Sequence, residues 1–445
     1  MDYIVNTPCG TLQGCAGRVA GTAAYKGIRY ATAERWKYPQ QVTHWDGVYD
    51  ATQYGACCYQ ARSFYNEEEN LKKIFYYREF RKGETYHYSE DCLFLNIFTP
   101  DDAKEGDGLP VLVYIHGGGF TGGCGHEKQF DGPVWPAKGV IGVTLNYRLG
   151  PLGFLCLPQL KEEAGYTGNY GLCDQMTAIQ WVNDNIAAFG GDPENITIMG
   201  QSAGAASVQM QSCSSLTDGL FQKAVMSSGC GLEWLMSCSE KKAAKFWQAV
   251  MDRCQCKTLE EFRALPVEDL FAVWQQAKKE IKGGNMATFP IMDGRFAVKG
   301  TPAKEIHYMA GGTSEDIAPP ILLHMTRKWV AAQKNPGYTW LFDRQLPGDD
   351  NGAWHSADLW YWFGTLENCW RPMTEKDYAL SEQMCDYLIN FCKTGDPNNE
   401  TLPCWKPSVP NEKAVLCLGE KETTMRKPDM LKLTKTMLTN KSVGE

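Results

Sequence analysis

No stretch of this 445-residue chain stays apolar over the roughly eighteen residues that a bilayer crossing needs. A membrane-spanning protein is therefore not expected. Basic residues are in deficit: 44 Lys and Arg stand against 52 Asp and Glu, a net charge of −8. That balance argues against binding nucleic acid or an anionic membrane by simple electrostatics. Internal repeats, low-complexity tracts and long linkers are also missing, so residues 1–445 read as a single domain, although the length would suit two or three average ones. Met1 to Pro8 lack the basic start and apolar stretch of a secretory signal. The expectation is a cytoplasmic protein whose eighteen scattered cysteines are mostly reduced. Neither Cys254-x-Cys256 nor the adjacent Cys57-Cys58 has a histidine or second cysteine pair at zinc-site spacing, so no metal and no cofactor is expected. Histidine is scarce too, with only seven in the chain, which narrows the search for any catalytic base.

Aromatic residues are plentiful, with 14 Trp, 21 Tyr and 18 Phe, enough for a large core and an aromatic-lined pocket. Continuous apolar runs recur at Val111 to Ile115, Val140 to Leu145, Ile196 to Met199, Ala224 to Met226 and Tyr338 to Phe342. Runs without alternation fit strands buried on both faces of a parallel sheet. Helical periodicity lies between them. Asp174 to Phe189 carries Ile179, Val182, Ile186 and Phe189 on one face, and Thr374 to Asp377 reads as a cap ahead of Leu380, Met384, Leu388 and Phe391. The alternation implies an α/β layered sheet with its site at the carboxyl ends of the strands. Two segments fit poorly and read as additions able to rim a pocket: an aromatic loop at 59–90 and a helical insertion at about 239–285.

The chemistry concentrates at Gly200-Gln201-Ser202-Ala203-Gly204, which ends the run Ile196 to Met199. A buried strand that breaks at glycine and turns sharply into a helix exposes one serine hydroxyl above the sheet. Such pentapeptides are common by chance, so the context decides. Upstream, Val111 to Ile115 ends in His116-Gly117-Gly118-Gly119-Phe120. Consecutive glycines let backbone N–H groups approach a developing oxyanion without Cβ obstruction. The N–H groups of Gly118, Gly119 and Ala203 would form that hole, and Ser202 reads as the nucleophile.

With these motifs the chain resembles the type-B carboxylesterases, a family that includes the cholinesterases and bacterial p-nitrobenzyl esterases. Two long signatures carry the likeness: Phe189-Gly190-Gly191 through Gly204, and Glu90-Asp91-Cys92-Leu93-Phe94-Leu95-Asn96-Ile97-Phe98-Thr99-Pro100. Asn146 to Phe154 and Gly27 to Ala31 match as well, and the likeness runs from about Thr11 to Trp405. It implies an α/β-hydrolase fold, with a central mostly parallel sheet flanked by helices. The implied reaction is hydrolysis of a carboxylic ester, with water as co-substrate, through an acyl-enzyme.

The other catalytic residues should follow in the order acid, then histidine. His355, in Gly352 to Leu359, resembles the family's histidine loop; His324 reads as structural. Gly311-Gly312-Thr313-Ser314-Glu315-Asp316 resembles the family's acid loop and aligns Asp316 with a glutamate, so Asp316 is favoured and Glu315 is the alternative. Ser228 matches a family serine that lies behind the triad, although a buried capped hydroxyl would look the same. Neutral His355 would be the base, giving activity that rises with pH through roughly 6 to 7. Cys58 and Cys92 match the family's first disulfide pair, a bond doubtful in a reducing cytoplasm. The loop between them lacks the Trp with which cholinesterases bind a quaternary ammonium, which disfavours choline esters. Only 39 residues separate Asp316 from His355. Most relatives insert a helical subdomain there, so a more open pocket is expected.

The resulting expectation is a serine carboxylesterase for small to medium esters, extending to aromatic ones, working as a monomer or small homo-oligomer. The alternatives are a feruloyl- or acetyl-type esterase of narrower range and a non-catalytic esterase-like binding protein.

Overall fold

The computed structural model describes residues 2–71, 73–232, 235–297, 303–419 and 421–439. Its centre is an eleven-stranded sheet: β1 (Cys15–Ala16), β2 (Thr22–Arg29), β3 (Phe94–Pro100), β4 (Leu109–Ile115), β5 (Ile141–Leu145), β6 (Gly191–Gln201), β7 (Lys223–Ser227), β8 (His307–Thr313), β9 (Gly337–Phe342), β10 (Val415–Leu418) and β11 (Thr424–Arg426). The spatial order is β11-β10-β9-β8-β7-β6-β4-β5-β3-β2-β1. Every pairing from β5 to β10 is parallel, while β1, β2, β3 and β11 add antiparallel edges. The expected apolar runs all fall in the parallel part, and β5 and β7 are buried at every residue. Burial on both faces removes the in–out alternation that marks a half-exposed strand. A smaller sheet of Ile4–Thr7, Gly10–Gln13 and Val48–Asp50 lies near the amino end of the chain.

Ten helices bear on the argument: α1 (Ile74–Phe80), α2 (Tyr170–Asn185), α3 (Ala203–Cys213), α4 (Glu240–Arg253), α5 (Leu259–Arg263), α6 (Val267–Glu280), α7 (Pro319–Ala331), α8 (Leu359–Phe363), α9 (Glu375–Thr394) and α10 (Met430–Thr439). Ile179, Val182, Ile186 and Phe189 are buried in the core on one side of the sheet. Leu380, Met384, Leu388 and Phe391 belong to the core on the other. Thr374 caps α9 in a reciprocal arrangement with Asp377, satisfying two backbone donors at once. None of the described helices is long and apolar enough to cross a membrane.

The two additions behave differently. Residues 239–285 form α4, α5 and α6, whose Phe246, Trp247, Phe271 and Trp274 pack with Trp36, Leu152 and Leu157 in a core of their own. Among the described residues none of this insertion lines the cavity above the strands, so its expected part in the rim is corrected. Its apolar face is consumed by that separate core. The 59–90 segment holds α1 and is closed by a Cys58–Cys92 disulfide. In a chain-entropy account, closing a loop of this length removes about 4 kcal/mol of freedom from the unfolded chain.

Candidate active site

The serine elbow is built by steric necessity. β6 ends at Gln201, α3 begins at Ala203, and Ser202 between them has φ 56° and ψ −123°, a region that side chains other than glycine rarely enter. Its N–H donates to the Ser227 carbonyl at 2.8 Å. A Cβ on Gly204 would lie 2.0 Å from the Ile115 carbonyl oxygen, and one on Gly200 would lie 2.3 Å from the Gly204 carbonyl. Both glycines are thus required for α3 to leave β6 directly against β4.

The register Ile115↔Gly200 between β4 and β6 places the glycine loop beside the elbow. A Cβ on Gly117 would meet the Ser202 Cβ at 3.1 Å. Gly118 has φ +108° and a Cβ there would lie 2.1 Å from the Gly122 carbonyl oxygen, so the turn admits only glycine. Thr121 and Gly122 N–H groups donate back to Gly118 O at 3.1 and 3.0 Å, which closes the loop. Among the described residues Gly118 and Gly119 N–H donate to no backbone acceptor. The Ala203 N–H, in the first turn of α3, has no intrahelical partner.

His355 and Asp316 meet directly. His355 Nδ1 lies 2.6 Å from Asp316 Oδ1, which also accepts from Ile317 N–H at 2.7 Å. Asp316 Oδ2 accepts from Ser228 Oγ at 2.5 Å, Thr313 N–H at 3.2 Å and Thr313 Oγ1 at 3.1 Å. Burial pushes the Asp316 carboxyl up, but His355 and these donors outweigh it and hold it below the ordinary carboxylate range. Burial likewise pulls the His355 imidazole down, and the Asp316 charge overrides it to leave the pKa raised. Glu315, the alternative acid, turns away and accepts from Ala353 N–H at 2.8 Å and from Ser314 Oγ. His324 is exposed on α7.

Two neighbours went unassigned at the sequence level. Gln201 Nε2 lies 3.2 Å from His355 Nε2, and among the described residues no hydrogen bond joins Ser202 Oγ to His355. The amide donating to Nε2 leaves the proton on Nδ1, facing Asp316, which is the tautomer a base requires. Asp358 is buried three residues after His355, with Oδ2 accepting from Ser227 Oγ at 2.7 Å and Trp362 Nε1 at 3.1 Å. Its Oδ1 has no partner among the described residues. Burial pushes its carboxyl up to about 6. The signal for Asp358 was present in the histidine loop itself, but an acid three residues on looks the same whether buried or solvated.

A cavity of about 620 Å³ opens above Ser202, His355 and the glycine loop. Tyr65, Tyr76 and Phe80 of the 59–90 segment line it, with Trp354, Phe130 and Met437. Other rings of that segment face elsewhere: Phe75 packs edge-on against Trp354 at 5.1 Å, and Tyr59 stacks on Phe64 at 5.6 Å. The short path from Asp316 to His355 does not leave the site bare. α1 packs over the histidine loop through Phe75, Tyr76 and Phe80, Tyr76 Oη donates to the His355 carbonyl at 3.3 Å, and Met437 of α10 reaches the cavity.

A mostly parallel sheet whose β6 breaks at a serine elbow beneath a glycine loop defines an α/β-hydrolase. The carboxylesterase family model matches residues 1–317 and 317–436. The para-nitrobenzyl esterase of Bacillus subtilis (strain 168) is 31% identical over 97% of this chain and 98% of its own. The bile salt-activated lipase of Rattus norvegicus is 36% identical over 90% of this chain and 78% of its own. A solved p-nitrobenzyl (PNB) esterase superposes with a TM-score of 0.81 at 28% identity, covering 98% of this chain and 99% of the other. An esterase from anaerobic Clostridium hathewayi, described as able to hydrolyse aliphatic aromatic polyesters, superposes with a TM-score of 0.83 at 27% identity over 98% and 97%. The chain belongs to the carboxylesterase family and hydrolyses carboxylic esters.

Proposed function

We propose that Ser202, His355 and Asp316 form the catalytic triad and that the N–H groups of Gly118, Gly119 and Ala203 form the oxyanion hole. The observation that carries this reading is the strained Ser202 elbow facing the glycine loop, with the Asp316–His355 pair lining the same cavity. In the acylation step the Ser202 proton passes to His355 Nε2 as Oγ attacks the ester carbonyl. The Gln201 amide must yield Nε2 for this, a small rotation on substrate entry. The oxyanion is held by the three N–H groups, and His355 returns the proton to the leaving alcohol. Water then repeats the cycle and frees the acid. Asp316 orients the imidazole and stabilises the imidazolium, and Ser228 positions Asp316.

The substrates are small to medium esters, including aromatic ones. Rings at Tyr65, Tyr76, Phe80 and Trp354 support this, as does the Clostridium hathewayi relative's action on aliphatic aromatic polyesters. The chain acts as one α/β-hydrolase domain over 1–445, as a monomer or small homo-oligomer. A cytoplasmic setting is supported by the many buried cysteines outside the one disulfide.

The test is turnover of a panel of p-nitrophenyl and hydroxycinnamate esters with a Ser202→Ala control, alongside labelling by a fluorophosphonate. Turnover and labelling that both vanish in the control support the triad. Selective loss of aromatic-ester turnover in Tyr76→Ala and Phe80→Ala would support the aromatic specificity, and an unchanged ratio of aromatic to aliphatic turnover would refute it.

A further inference from the structure

Behind the glycine loop, away from Ser202, lies a cluster that the ester chemistry does not use. Cys57 sits in the short strand pair Cys57–Cys58 with Tyr88–Ser89. Cys124 and His126 lie on the stretch that follows the loop. The ligand atoms of these three side chains all lie within 4.8 Å of one another, and Cys57 Sγ is 3.6 Å from His126 Nε2. Sequence spacing hid the cluster because its two parts are 67 residues apart (124 − 57) and only the fold joins them.

The arrangement is held from outside. Asn146 Oδ1 accepts from Gly125 N–H at 2.8 Å, while its Nδ2 donates to the Ala56 carbonyl at 2.9 Å. One side chain therefore clamps the backbone next to Cys124 and His126 to the backbone next to Cys57. Gly125 allows the close approach, since a Cβ there would lie 2.8 Å from the Leu145 carbonyl oxygen. The His126 ring is stacked on Tyr54 at 4.6 Å and 7°, with Tyr86 at 5.6 Å, and Tyr54 Oη is itself tied to Asp131. Both cysteines are fully buried, and His126 is partly exposed, which leaves an entry path.

We propose that Cys57, Cys124 and His126 bind a thiophilic divalent cation of the Zn²⁺ type, with one coordination position left to solvent. Two thiolates and one imidazole suit such a cation in softness and, with water, complete a tetrahedron. Nearby Glu127 is not a fourth ligand, because it is committed to Arg62 at 2.6 Å and to Gln129 at 3.1 Å. With two thiolates, one imidazole and a divalent cation the loaded site carries no net charge, so no uncompensated buried charge opposes it. The cation would tie the glycine loop to the segment that the Cys58–Cys92 disulfide already anchors, since Cys124 directly follows Gly123, whose N–H is held by Gln60 Oε1 at 2.9 Å.

The test is Co²⁺ titration of the full chain purified anaerobically without added thiol. The expected result is one Co²⁺ per chain, with thiolate-to-metal charge-transfer absorption and the intense visible bands of a four-coordinate ion. Zn²⁺ should displace it and raise the thermal midpoint. Cys124→Ser should abolish the charge-transfer band. His126→Gln keeps both thiols and serves if the cysteine variant fails to fold; it should weaken binding by more than about tenfold, since even losing an outer partner of a ligand costs that much. Absence of the band, or a band unchanged in both variants, overturns the proposal. So does a thiol count showing Cys57 and Cys124 oxidised to each other in the anaerobic protein.

Discussion

Replacing Asp316 by Asn tests the site at its most constrained point. Both carboxylate oxygens face donors only: Oδ1 receives His355 Nδ1 and Ile317 N–H, and Oδ2 receives Ser228 Oγ, Thr313 N–H and Thr313 Oγ1. A hydroxyl can turn to accept, but a backbone N–H cannot. An amide NH₂ at the Oδ2 position therefore opposes Thr313 N–H, and at the Oδ1 position it opposes Ile317 N–H. Either orientation leaves buried donors unmatched, at about 1–3 kcal/mol of stability. With NH₂ toward His355, the amide donates to Nδ1 and forces the proton onto Nε2, where no base remains. With oxygen toward His355 the tautomer survives, but the imidazolium loses its counter-charge. The expected fall in kcat is on the order of 10⁴. The pH dependence changes as well. In the parent, activity rises with pH through a midpoint above the ordinary histidine value, because Asp316 holds the His355 pKa up. In the variant, burial acts against only the weaker charge of Asp358, so the residual activity has its midpoint at lower pH. The assay is kcat/KM for a p-nitrophenyl ester from pH 5 to 9, with the active fraction titrated by an organophosphate. Glu315→Gln is the control and should leave the midpoint in place. An Asp316→Asn enzyme within tenfold of the parent, with an unmoved midpoint, would refute the assignment. A Glu315→Gln enzyme that moved the midpoint instead would make Glu315 the acid.

Asp358→Asn should be more stable than the parent at pH 8 and similar only below about pH 4, the ordinary aspartate value. Burial raises the Asp358 pKa to about 6, so the stability it contributes is present below the unfolded value and lost as pH rises through about 6. Unfolding curves with the same pH slope in both proteins would count against this. Glu127→Gln leaves Arg62 buried without its 2.6 Å partner and should cost about 3–5 kcal/mol in urea unfolding at pH 7. In the parent, burial raises the Glu127 pKa but Arg62 and Arg81 bring it down to about 2. The stability it contributes is therefore present above the ordinary glutamate value and lost as pH falls toward 2; a parent chain equally stable at pH 7 and pH 3 would contradict it. Gly204→Ala must move α3 off β4 to relieve a 2.0 Å contact, and should yield little folded protein; a thermal midpoint near the parent's would show that the elbow has slack.

The amino-acid order determined the parts that rest on local pattern. Uninterrupted apolar runs such as Val111 to Ile115 fit strands covered on both faces, and the expected runs all appear in the parallel region. The serine elbow and glycine loop were legible because each is a backbone shape that particular residues must occupy: Gly118 at φ +108°, and Gly204 against Ile115. β8 was harder to see, because Gly311 and Gly312 interrupt the apolar run of His307–Thr313. What only the tertiary structure decided depends on distance between segments far apart in sequence. The sequence left Asp316 and Glu315 as adjacent carboxylates; the fold turns one to His355 and the other to Ala353 N–H. It also decided that the 59–90 segment, rather than the 239–285 insertion, lines the cavity, since the insertion has a separate core to fill. Cys57, Cys124 and His126 converge for the same reason. Their meeting is set by Asn146 holding the backbone at Gly125 to the backbone at Ala56, and no spacing rule along one chain can register that.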